Sequence, residues 1–124
     1  MANEISAVCS LTGTKGGITV QGTMTKQETL SGSGLWSNTQ TIGTSAETLA
    51  FPSDLTTEGI TFLWLKNDDV TNFVEVGLDS GMTNKFAKLL AGQAMLLRVY
   101  TGNPTYYAKA DTAAVNLRMC AVGT

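Results

Sequence analysis

Apolar and polar residues alternate along most of this chain, and the alternation has the period of a β-strand. In residues 4–11, Ile5, Ala7, Cys9 and Leu11 fall on one face and Glu4, Ser6 and Ser10 on the other, the pattern of a half-buried strand. Residues 12–17 (TGTKGG) form a turn cluster. In residues 18–25, Ile18, Val20 and Met24 point inward while Thr19, Gln21, Thr23 and Thr25 point outward. Gly22 sits on the inward set, which marks a bulge or the close approach of another backbone. A polar loop over 26–34 precedes an edge strand over 35–42 and a short strand over 47–51, which Pro52 ends. Residues 52–59 read as a loop with room for one helical turn.

The stretch from Ile60 to Tyr100 reads as a β-meander around which the rest is organised. Residues 60–66 (ITFLWLK) are apolar on both faces, with Ile60, Phe62 and Trp64 on one and Leu63 and Leu65 on the other. A central strand, or one beneath a partner subunit, has this pattern. After the turn at 67–72 (NDDVTN), Val74, Val76 and Leu78 point inward and Phe73, Glu75 and Asp79 outward. Residues 86–97 fit a helical stripe through Phe86, Leu89, Leu90 and Leu97, but Gly92 interrupts it, and Ala91-Gly92 makes a hairpin turn. Strand–turn–strand is therefore predicted, with Met95, Leu97 and Val99 inward and Arg98 and Tyr100 outward. After a turn and short extended piece over 101–111, the closing strand of 113–121 places Ala113, Val115, Leu117, Met119 and Ala121 on one face. About eight short strands with turn signals between them predict an all-β single-domain sandwich over 1–124, jelly-roll-like. Residues 1–17 offer a partly extended N-terminal arm.

Composition turns this scaffold toward assembly rather than chemistry. Charged residues make up 15% of the chain and hydrophobic ones 43%, so much of the surface is uncharged, which favours association. The eight Lys and Arg are scattered and the net charge is −2, which leaves no basic footprint for nucleic acid. No apolar run reaches the roughly 18 to 20 residues of a membrane helix, and the N-terminus lacks the pattern of a secretory signal. Folding in the cytoplasm is expected. There Cys9 and Cys120 read as buried thiols; the alternation points Cys9 inward and Cys120 outward, against a bridge.

The chain has no histidine, which excludes Ser-His-Asp and Cys-His catalysis and any His-ligated metal. No enzyme activity and no cofactor is expected. Asn67-Asp68-Asp69-Val70-Thr71-Asn72 carries oxygen ligands but lacks the glycine and glutamate of an EF-hand loop, so it reads as turn chemistry. Thr12/Thr14, Thr23/Thr25 and Thr39/Thr41 are unequally spaced and reflect β-propensity. Trp64 reads as core. Trp36, Tyr106 and Tyr107, near loops, are the candidates for partner contact, in a protein interface or on a sugar.

Four segments carry a resemblance: 42–49 (IGTSAETL), 62–67 (FLWLKN), 71–77 (TNFVEVG) and 107–115 (YAKADTAAV). Together they resemble small β-sandwich virion structural proteins of tailed bacteriophages. The resemblance covers roughly the C-terminal two thirds, and its motifs are structural. It implies a capsid decoration (cement) protein on the outside of the virion, homo-oligomeric with a trimer favoured, and the major capsid protein as partner. A tail or neck component, or a carbohydrate-binding attachment module, is the alternative.

Overall fold

A two-residue turn, Gly16-Gly17, sets the first element. Their φ angles of 59° and 79° lie in the left-handed region that glycine enters without penalty, and two such residues make the tight turn whose twist matches a hairpin. The computed structural model describes residues 5–29, 35–53, 55, 59–99 and 105–123. Strands β1 (Ile5–Lys15) and β2 (Ile18–Glu28) pair antiparallel without a register break. The expected six-residue turn cluster thus shrinks to its two glycines, and Thr12 to Lys15 join the strand. The N-terminal segment is doubled back as a hairpin. The chain divides into two compact units, Met1–Ser31 and Gly32–Thr124, and this two-stranded sheet belongs to the first.

The second unit is a β-sandwich. One sheet has the order β3-β10-β5-β8 and the other β4-β9-β6-β7. The strands are β3 (Leu35–Ile42), β4 (Glu47–Thr48), β5 (Phe62–Asn67), β6 (Val74–Gly77), β7 (Lys85–Leu89), β8 (Ala94–Arg98), β9 (Tyr107–Ala110) and β10 (Val115–Val122). All pairings are antiparallel. Ile42, Leu63, Leu65, Val115, Leu117, Met119 and Ala121 from the first sheet share one core with Val74, Val76, Leu89, Ala108 and Ala110 from the second. β3 lies on an edge, as its sequence suggested.

The predicted meander does not form. β5 and β6 lie in different sheets, and so do β7 and β8; within this stretch only β6 and β7 pair as sequence neighbours. The Gly92 turn is real, with φ 76° and Gln93 N donating to Leu90 O at 3.0 Å, but it carries the chain across the sandwich instead of closing a hairpin. Leu78, expected inside, is 53% exposed, because the ladder shifts register between Val76 and Gly77 and the strand ends there. Trp64, expected in the core, is half-buried; it pairs with Cys120 and Leu96 on the outer face of its sheet, opposite to Leu63 and Leu65. Tyr100 lies outside the described residues.

Candidate interaction surface

The hairpin's register sorts its side chains into two chemically distinct faces. Directly paired residues share a face. One face carries Ile5, Ala7, Cys9, Leu11 and Gly13 on β1 and Ile18, Val20, Gly22 and Met24 on β2. Its only charges, Lys15, Lys26 and Glu28, stand toward its two ends. The other face is Ser6, Ser10, Thr12, Thr14, Thr19, Gln21, Thr23, Thr25 and Gln27, with Val8 as its one aliphatic. A hydroxyl pair, Thr14 and Thr19, bonds across it at 3.2 Å. On the apolar face Leu11 is 70% exposed, Ile18 69%, Val20 53% and Met24 41%. The sequence predicted these positions to face inward, and they do share a face; yet they are open to solvent. Cys9, expected inside, is exposed on that face, and both cysteines are free thiols.

The sandwich places the three aromatic candidates differently from one another. Tyr106 is buried, with its ring edge-on to Phe51 at 6.4 Å and to Phe86 at 5.8 Å. Burial raises its hydroxyl pKa above the ordinary value, and its role in this unit is packing. Trp36 is half-buried and meets Phe51 edge-on at 5.5 Å. Tyr107 is half-buried at the start of β9. The structure thus joins Trp36 and Tyr106 through Phe51 in one aromatic row along the sandwich, a link that no sequence spacing reveals.

On the outer face of the first sheet, cations stack on aromatics. The Arg98 guanidinium lies 5.1 Å from the centre of the Phe62 ring and that of Arg118 5.9 Å from Trp64. Arg118 also holds Asp68 in a two-pronged bond, both contacts 2.8 Å, which lowers the Asp68 pKa and raises that of Arg118. Cys120 Sγ lies 3.4 Å from Ser37 Oγ on the same face.

Within the Asn67–Asn72 loop, Asp69 spends its carboxylate on the loop's own backbone. Asp69 Oδ1 accepts from the N–H groups of Thr71 at 2.7 Å and Asn72 at 2.6 Å, and these bonds lower its pKa. Asp79 does the same for Thr83 and Asn84 in the β6–β7 turn. Among the described residues no group of three or more His, Cys, Asp or Glu is placed to hold a metal ion. The open apolar hairpin face is therefore the surface whose chemistry the described chain leaves least satisfied. Comparison with known protein families, curated proteins and solved structures finds no match.

Proposed function

We propose that this chain is a structural subunit of a larger assembly, a virion component of the capsid decoration type. The observation that carries the reading is the hairpin: an apolar face with Leu11, Ile18, Val20 and Met24 open to water. An isolated two-stranded hairpin is marginal in water, and a contiguous exposed apolar face marks an interaction surface. The strand order β3-β10-β5-β8 over β4-β9-β6-β7 supports the further reading of the sandwich as a jelly roll, an architecture that recurs in viral capsid domains. That last step is an analogy of fold, and the virion context itself comes from the sequence resemblance.

In this reading the protein works mechanically. Each copy covers apolar surface on its neighbours and on the major capsid protein, and so opposes separation of shell subunits. Burial of apolar area supplies about 25 cal/mol per Å2 before ordering costs are subtracted, and a lattice repeats that contribution many times. The test is addition of purified protein to undecorated heads of the phage that encodes it. Saturable binding that raises the temperature of head rupture supports the proposal. Absence of binding, with normal head stability without the protein, removes it; labelling found on isolated tails instead would move the protein to the tail or neck.

A further inference from the structure

The hairpin's register says more than that its apolar face needs a cover. Gly22 stands in the middle of β2, where a glycine weakens a strand, and neither of the usual local reasons applies. Its φ is not positive, and no described atom lies within 4 Å of where its Cβ would be. Gly13, also within a strand and on the same face, likewise lacks a positive φ, and a Cβ there would make ordinary contact with the Val20 side chain at 3.5 Å. What remains for Gly22 is close approach from outside the described residues.

Each glycine has a bulky aliphatic as its cross-strand partner: Leu11 pairs with Gly22, and Val20 with Gly13. The next row toward the open end also couples a small residue with a large one, Cys9 with Met24; Ala7, one row further, is already buried. The face is thus a knob beside a notch in three successive rows. A two-fold axis running along the hairpin stacks two such faces with the rows in step and the strands exchanged. Leu11 of each copy then lies over Gly22 of the other, Val20 over Gly13 and Met24 over Cys9. The charged ends do not collide, because Lys15 meets Ile18 and Glu28 meets Ile5. An isologous contact requires this self-complementarity of one patch, and aligned packing of two sheets supplies the geometry.

We infer that the apolar hairpin face binds a second copy of itself, forming a two-fold, four-stranded sandwich between chains. The inference rests on the proposal that this face is an assembly surface, and it names the occupant. The face spans about 36 Å by about 10 Å, well under the roughly 800 Å2 per partner of a standard stable complex. The hairpin contact is therefore reversible and dependent on concentration when no other surface reinforces it.

The experiment uses the full chain in sedimentation equilibrium up to several hundred micromolar, with three proteins: the parent, Gly22→Leu and Leu11→Gly. The parent self-associates. Gly22→Leu fills the notch and Leu11→Gly removes the knob, so each alone loses at least about tenfold in association, the effect of a few misplaced methylenes. Mixed together they associate again, because the two knobs of one variant face the two notches of the other. The circular dichroism of each variant confirms that the sandwich is intact, as expected for substitutions at exposed positions. A parent that stays monomeric at the highest concentration overturns the inference, as does a Gly22→Leu variant that associates like the parent or a mixture that fails to recover. None of these results depends on binding to heads, so self-association and shell binding fail separately.

Discussion

Asn67 Nδ2 donates to the carbonyl of Leu89 at 3.0 Å, tying the last residue of β5 in one sheet to the last residue of β7 in the other. The same amide donates to Asn72 O at 2.8 Å, and Oδ1 accepts from Asp69 N at 2.9 Å. The Asn67 backbone bonds Gln93 O and the Gly92 N–H at 2.9 and 3.0 Å. One fully buried polar side chain thus fixes both connections that cross the sandwich at this end. The Asn67→Leu variant keeps similar volume but removes the side-chain bonds to Asn72 O, Leu89 O and Asp69 N. It should lose about 3 kcal/mol, since a buried unsatisfied group costs roughly 1–3 kcal/mol. Urea unfolding checks this; a loss below about 1 kcal/mol would show that water satisfies these groups.

Gly77 marks the place where β6 leaves its ladder. A Cβ there would stand 3.1 Å from Asn84 O and 3.3 Å from Met82 Sδ. Met82 itself holds a φ of 54°, unusual outside glycine, and is buried, so the turn has little room to yield. Gly77→Ala should destabilise by about 1–2 kcal/mol through overpacking, measured by thermal unfolding. Stability equal to or above that of the parent would contradict this packing.

Acid stability follows from three carboxylates. Asp68, Asp69 and Asp79 all have pKa values below the ordinary 3.8, the first held mainly by Arg118 and the other two by backbone N–H groups. A group lowered on folding stabilises fully above its unfolded pKa and loses that contribution as pH falls through its folded one. The melting temperature should therefore hold above pH 3.8 and decline below it. Asp79→Ala should lower the plateau and flatten the decline. Titration of the Asp68 carboxyl by NMR should return toward the ordinary value in Arg118→Gln. An unmoved Asp68 titration would show that the two-pronged contact is not held in solution.

Two leucines separate the roles of the two units. Leu117 is fully buried and Leu11 is 70% exposed. Leu117→Ala should cost the sandwich about 2–5 kcal/mol, whereas Leu11→Ala should leave its unfolding within about 0.5 kcal/mol while weakening self-association. Denaturation and sedimentation on the same pair of variants check both halves. A sandwich destabilised as much by Leu11→Ala as by Leu117→Ala would show that Leu11 is core.

Alternation made much of this legible. The closing strand was readable because Val115, Leu117, Met119 and Ala121 all face one buried core, and a one-residue slip would expose the whole set. The apolar face of the hairpin was readable for the same reason. What covers that face was not, because alternation reports that a side chain prefers burial and says nothing of whose atoms bury it. The crossings at Asn67 and Gly92 were misread as meander turns because Asn, Asp and Gly set local backbone geometry alike in both settings. Which sheet the next strand joins is decided by distant pairing, here of β5 and β8 with each other and not with β6 and β7. The aromatic row through Phe51 was equally hidden, being assembled from four separate segments.

The most direct test of the open hairpin as an assembly surface is amide hydrogen exchange over β1 and β2 as a function of protein concentration. A two-stranded sheet opens readily, so its protection reports whether its face is covered. The account predicts weak protection of the Leu11 and Val20 amides in dilute protein and strong protection in concentrated protein, with the sandwich amides unchanged throughout. Hairpin protection that is the same at every concentration would contradict it.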